Sequence, residues 1–343
     1  MHSSARTSAR WRCALGLALA TAVMPATAAL TSKQLGVVIN LNDPYSVQVG
    51  EFYAVRRGIP ADNVVRVRMP VAQDTLSPAL FKSVEETVKA ALPGRVQGLA
   101  LAWTQPYRVG CMGITTAFAA GFDEKFCARG CKPTAPSPLH RSYSSAPYQD
   151  HGWRPAMLLA GLGYDNARQL IERGIQSDYS RPPGRAYLLK TSDPHRSVRT
   201  RGFPQARAAG RSRGIEVSIL ERDFIKDRYD VLFYFTGLRR VKHLDRLGFL
   251  PGAMADHLTS AGGQLLGQKQ MSALRWLEAG ATGSYGTVRE PCNFPQKFPD
   301  PAVAMRAYLE GDTLLEAYWK SVAWPGQGVF IGEPLARPFA DRE

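Results

Sequence analysis

Between residues 35 and 105 the chain alternates between two kinds of apolar pattern, and this alternation constrains the fold more than any other feature. "LGVVINLN" is a short apolar run that ends in polar residues; "NVVRVRMP" and the nearly continuous "VQGLALAWTQP" repeat the type further on. Two helix-like segments lie between them. "DPYSVQVGEFYAVRRGIP" opens on Asp43 as a cap with Pro44 in the first turn, and Gly58 and Pro60 stop it. Val47, Phe52 and Val55 are expected to form its apolar face. "SPALFKSVEETVKAAL" is amphipathic and starts at Ser77 and Pro78. Strand, helix, strand, helix, strand predicts a mostly parallel α/β sheet flanked by helices.

Residues 105–155 break the rhythm. They hold Cys111, Cys127, Cys131 and many of the prolines, and "CKPTAPSPLHRSYSSAP" reads as an irregular insertion. Then "AMLLAGLGYDNARQLIERGIQSD" gives a short strand and a well-marked helix. "AYLLKTSD", "EVSIL", "DVLFYFTG", "GGQLLG", "ATGSYGTV" and "QGVFIGEP" are further strand candidates, and "PAVAMRAYLEGDTLLEAYWKSVA" supplies one or two helices. "GAMADHLTSAGG" reads as helical. A chain of 343 residues, 45% of them hydrophobic, has room for one large domain or two small ones. No linker and no repeat of 30 to 50 residues interrupts it, so residues 29–343 are expected to form a single α/β domain with an excursion at about 105–155.

The N-terminus reads as a secretory leader. Residues 1–12 carry three arginines and no acid. "CALGLALATAV" follows as an apolar run of 11 residues, and Ala26 and Ala28 stand in the small-x-small pattern of a cleavage site after residue 28. No later stretch is long and apolar enough to span a membrane, so the mature chain is expected to be exported, periplasmic or extracellular, with no membrane span. Export makes the four remaining cysteines, Cys111, Cys127, Cys131 and Cys292, disulfide candidates. Cys111 and Cys292 both follow strand candidates and Cys127 and Cys131 are four apart, so the favoured pairing is Cys111 with Cys292 and Cys127 with Cys131. A Cys-x-x-x-Cys pair alone is a weak zinc signal, and no metal site is expected.

The formal charge is +14, and removing the leader's three arginines leaves about +11. Arg196, Arg199, Arg201, Arg207, Arg211 and Arg213 lie in "RSVRTRGFPQARAAGRSR" with no acid among them. They are a candidate polyanion patch for acidic glycans or lipid headgroups, with a solvated loop and helix face as the simpler account. Outside the cytoplasm nucleic acid is excluded as a partner.

In a parallel sheet, ligands lie beyond the carboxyl ends of the strands. The loops to examine are "NLNDP", "WTQPYRVGC", "FTGLRR" and "GTVREPCN", which makes Asn40, Asp43, Thr104, Gln105, Thr236, Glu290 and Asn293 the candidate ligand-binding residues. A cysteine nucleophile requires a low-pKa thiol and a base. Cys292 and Cys111 stand at strand ends, and His257 is the best placed of the histidines, although a loop-bracing role suits it better. There is no G-x-S-x-G, P-loop, dinucleotide fingerprint or H-E-x-x-H, so no cofactor is expected. Asp43, Asp256, Glu290 and Glu333 are carboxylates that sequence spacing does not bring together.

Two resemblances follow from these segments. "LGVVINLNDPYSVQVGEFYAVRRGIPADNVVRV", "LAWTQPYRVGCMGITTAFAAGFD", "GAMADHLTSAGGQLLG", "WLEAGATGSYGTVREPCNFPQKFPDP" and "AYWKSVAWPGQGVFIGEPLARPF" resemble an uncharacterised exported bacterial family. It occurs in species carrying exosortase, the membrane transpeptidase of the PEP-CTERM sorting system. The resemblance implies an envelope context, with an envelope protein or exopolysaccharide as partner. The succession "DVLFYFTG", "WLEAGATGSYGTV", "YLEGDTLLEAYWKS" and "GVFIGEPLARP" is similar to the carboxyl half of caspase-like folds, especially gingipain-type peptidases. Those place His-Gly after one strand and Cys after the next. Here the first position reads Thr236-Gly237-Leu238, and the second offers Ser260 but no cysteine. The resemblance therefore implies a degenerate domain that binds a protein segment or glycan rather than cutting it. A secreted cysteine hydrolase using Cys292 or Cys111 with His257 is the alternative.

Overall fold

The apolar runs become strands of one large sheet. The computed structural model describes residues 1–2 and 29–342, so the leader expected for residues 1–28 falls almost wholly outside the described residues. In chain order the elements are β1 (Leu35–Asn40), α1 (Pro44–Arg57), β2 (Val64–Val67), β3 (Thr75–Leu76), α2 (Pro78–Ala91), β4 (Gly98–Leu101), β5 (Arg108–Val109), β6 (Met112–Gly113), α3 (Ile114–Ala120), α4 (Pro147–His151) and β7 (Ala156–Leu158). They continue with α5 (Tyr164–Ser177), β8 (Arg185–Lys190), α6 (Phe203–Arg211), β9 (Glu216–Glu221), β10 (Arg228–Thr236), β11 (Leu247–His257), α7 (Leu274–Glu278), β12 (Gly283–Thr287), α8 (Pro301–Leu309), α9 (Leu314–Ser321) and β13 (Gly328–Gly332).

Among the described residues ten strands form the main sheet, in the order β2-β1-β4-β7-β13-β12-β11-β10-β8-β9. Every pairing in it is parallel except β12 with β13, which runs antiparallel from Gly283↔Gly332 to Thr287↔Gly328. The fold is thus α/β with a mostly parallel sheet flanked by helices. Each half has the same internal order, since β2-β1-β4-β7 and β9-β8-β10-β11 both read second, first, third, fourth. The sequence shows no repeat, yet the topology is doubled. The antiparallel seam also means that the strands of the two halves point in opposite directions. Their carboxyl ends therefore emerge at opposite margins of the sheet.

Capping and packing explain the helices. Asp43 accepts from Tyr45 N at 3.0 Å and Ser77 from Leu80 N at 3.2 Å, each satisfying an amide that the first turn leaves open. At α9, Thr313 and Glu316 form a reciprocal capping box. Trp319 of α9 lies stacked on Phe330 of β13, with ring centroids 4.4 Å apart. Fully burying such side chains contributes about 1.5–3 kcal/mol each.

Several of the expected elements are corrected. The buried face of α1 is Ser46, Val49, Gly50 and Tyr53, whereas Val55 is 80% exposed and Val47 and Phe52 are only partly buried. The cause is close approach: a Cβ at Gly50 would stand 2.5 Å from Ile39 Cγ1, so the helix lies on β1 through its glycine. "GGQLLG" is a turn rather than a strand. "GAMADH" is the buried end of β11 rather than a helix. Finally, the insertion is packed rather than irregular. It carries β5, β6, α3 and α4, and Thr115 and Thr116 donate to Gly328 O (3.0 Å) and Pro325 O (2.7 Å), which ties it beneath β13.

Candidate functional site

In the second half, the carboxyl ends of β8, β10, β11 and β12 converge, and each presents polar side chains. Gly237 follows β10 and passes so close to the loop after β8 that a Cβ there would stand 1.9 Å from Arg196 O. Thr191 Oγ1 donates to Gly237 O at 2.6 Å, and Ser197 Oγ lies 3.0 Å from Thr191 Oγ1. Arg196 pairs with Asp193 and donates through Nε to Thr259 Oγ1 at 3.1 Å. Thr259 in turn donates to Gln270 Oε1 at 2.8 Å, which also accepts from Ala261 N. The margin is closed by its own network.

His257 ends β11 and is 1% exposed. Trp276 Nε1 donates to its Nδ1 at 2.9 Å, and its Nε2 lies 3.0 Å from Met271 O. An indole N–H only donates and a carbonyl only accepts, so Nδ1 is the bare nitrogen and Nε2 carries the proton. Burial pushes the imidazole pKa down to about 3, although the bond to Met271 opposes this. A general base needs a free lone pair within reach of substrate. His257 has none, and what it does is brace the 264–272 loop.

Strand alternation sends the preceding side chain to the opposite face. There Asp256 is fully buried and pairs with Arg199, Nη1 to Oδ1 at 2.6 Å. Arg199 also donates to Thr236 O (2.7 Å) and Pro299 O (3.1 Å). Burial raises the Asp256 carboxyl to about 6 against the opposing Arg199 charge, and among the described residues neither oxygen accepts a well-aligned hydrogen bond. Arg199 therefore does not belong to a polyanion surface. Arg196 and Arg213 are engaged as well, with Asp193 and Glu310.

Glu290, 2% exposed, caps the turn after β12. It accepts from Cys292 N (3.0 Å) and Asn293 N, and stands 3.5 Å from the buried Lys297 Nζ. Burial lowers the Lys297 pKa while Glu290 opposes that shift. Asn293 Nδ2 donates to His195 O at 3.0 Å. Cys292 is bonded to Cys131, and Cys111 to Cys127. The expected pairing is thus corrected: folding of the insertion brings Cys127 back to Cys111, and Cys131 reaches the turn after β12. Neither Cys111 nor Cys292 offers a thiol.

The seven candidate ligand residues fall into two groups. Thr236, Glu290 and Asn293 belong to the second-half margin. Asn40, Asp43, Thr104 and Gln105 stand at the opposite margin, at the ends of β1 and β4, because the antiparallel seam reverses the first half. Asn40 is spent on Met69 N (2.9 Å) and Met69 O (3.2 Å), Thr104 on Gly161, and Asp43 on capping α1. Glu333 is clamped by Arg57, which also holds Asp178. Among the described residues no group of three His, Cys, Asp or Glu side chains is placed to hold a metal ion.

Beside the braced loop is open space. A cavity of about 840 Å³ lies between the β10–β11 and β11–β12 connections. Leu265, Met271, Leu274 and Val241 line it, and Leu162 and Leu266 stand exposed at its mouth. Sequence reasoning missed this cavity, Trp276 and the Arg199–Asp256 pair. A buried arginine within an arginine run carries no local signal that separates it from its exposed neighbours.

No protein-family model matches the chain, and no curated protein matches it. A solved structure described as "Structure of Protease" is similar over 90% of this chain and 79% of its own, at 10% identity and a TM-score of 0.45.

Proposed function

We propose that this chain is an exported, non-catalytic α/β domain of degenerate caspase-like type, which binds a polypeptide segment as an accessory protein of an exosortase-associated envelope. The observation that carries the non-catalytic reading is the state of His257. Both its nitrogens are bonded, its pKa is far below neutrality, and the two strand-end cysteines that could have partnered it are bridged. The envelope assignment draws on the sequence resemblance alone, and the two disulfides suit export.

The 840 Å³ cavity is the binding site in this reading. Its size is that of an ordinary ligand pocket, and its floor is apolar. Among the described residues Arg240 is bonded only to a backbone carbonyl and Lys242 forms no ion pair, whereas Asp245 is the one unpaired acid of the lining and Glu278 is matched by Arg275; the small excess of positive charge at the rim favours an acidic flank on the bound segment. A leucine-like anchor beside Asp or Glu is the expected ligand.

Selection from a random peptide library tests this, with wild type set against the double variant Leu162→Arg, Leu266→Arg. Both positions are exposed, so the variant is expected to fold. Apolar anchors flanked by acids should be enriched on the wild type, lost on the variant and left uncleaved. Cleavage that disappears in Cys292→Ala, or equal enrichment on both proteins, would reject the reading.

A further inference from the structure

A second cavity, of about 760 Å³, lies between α6, α8 and residues 141–143. It differs in kind from the apolar one. Arg201 and Arg306 line it, and neither forms an ion pair among the described residues. Its other charges are already matched: Arg141 with Asp300, Lys320 with Asp312, and Glu310 with Arg213. Tyr143 stands 89% exposed at the wall, and Gln205 and Ser142 add an amide and a hydroxyl. Burial and the nearby Glu316 raise the Asp312 carboxyl, while Lys320 opposes that shift and keeps the pair together. A further space of about 250 Å³ shares Arg141, Arg201, Gly202 and Asp300 and continues the groove towards Phe298.

We propose that this cavity binds an acidic sugar, a uronate unit whose carboxylate is held by Arg201 and Arg306 and whose ring lies against Tyr143. Guanidinium groups match carboxylates in geometry and lose less hydration than ammonium groups do. Unmatched arginines beside matched pairs leave a place for one more anion. The amide, the hydroxyl and the spare carboxylate oxygens suit ring hydroxyls, and an exposed tyrosine face suits the apolar side of a sugar ring. The continuing groove leaves room for a neighbouring unit. Of the six arginines in the basic run, only Arg201 lines this cavity, so recognition is local rather than a property of the run.

The inference is independent of the apolar cavity, and either can fail alone. The test is calorimetric titration with trigalacturonate, with neutral maltotriose as comparison. Wild type, Arg201→Gln, Arg306→Gln, Tyr143→Ala and, outside the cavity, Arg211→Gln would each be titrated. All the substituted side chains are exposed, so the variants are expected to fold. Trigalacturonate should bind in preference to maltotriose and weaken as salt rises. Arg201→Gln and Arg306→Gln should each weaken it at least tenfold, Tyr143→Ala should weaken it, and Arg211→Gln should leave it unchanged. Absent binding at millimolar trigalacturonate would overturn the proposal. So would an equal loss in Arg211→Gln, which would mark a diffuse basic surface.

Discussion

Replacing His257 by Gln separates a braced, neutral histidine from a catalytic one by the pH dependence of stability. The Gln amide can still donate to Met271 O, but the Trp276 indole N–H is left without its acceptor at 2.9 Å. A buried donor left unsatisfied costs about 1–3 kcal/mol, so wild type should be more stable by that amount at pH 7.5. Between pH 6.5 and about 3 the unfolded chain carries a proton on this ring that the folded chain does not. Lowering the pH therefore favours unfolding of wild type, a loss of about 2 kcal/mol at pH 5 that Gln cannot incur. Asp256 and Asp312, with raised carboxyls, push in the opposite direction. They are common to both proteins and cancel in the difference. Urea unfolding at pH 7.5 and 5.0 reads the gap between wild type and variant, which should narrow by about 2 kcal/mol. A gap independent of pH would mean that His257 takes up its proton in the folded state, and the bracing argument would be refuted.

Other perturbations test the surrounding structure. Cys131→Ala with Cys292→Ala opens a link across 161 residues, worth up to about 5 kcal/mol by chain entropy, and thermal unfolding of the oxidised proteins should show the loss. Arg199→Met should cost about 3–5 kcal/mol because Asp256 is left buried alone, and adding Asp256→Leu should recover much of that in urea unfolding. Gly237→Ala should destabilise the fold by more than an ordinary surface change, since its Cβ has no room beside Arg196 O.

The early strands and helices were legible because their signals are local. Asp43-Pro44 and Ser77-Pro78 announce helix starts, and the runs at β1, β4 and β10 announce strands. Gly283, Gly286 and Gly328 explain the small-residue stretch around Tyr285. A Cβ at Gly286 would stand 2.3 Å from Gly262 C, so the stretch is a core strand in close contact with the loop after β11. What local pattern could not reveal is direction. A central strand buried on both faces looks alike whether its neighbour runs parallel or antiparallel, so the β12–β13 seam was invisible, and with it the splitting of the candidate ligand residues between two margins. β11 was obscured by Gly252 and Pro251 within it, and its alanines read equally well as helix. The disulfides depended on how the insertion folds, which strand-end position alone did not encode.

The most direct test of the non-catalytic reading is the intact mass of an oxidised protein comprising residues 29–343 after thiol alkylation without reductant, first native and then denatured. With Cys111–Cys127 and Cys131–Cys292 both formed, no alkyl group should add in either state. Rapid addition of one group to the native protein, mapped to Cys292 or Cys111, would contradict it and restore a cysteine nucleophile at the strand end.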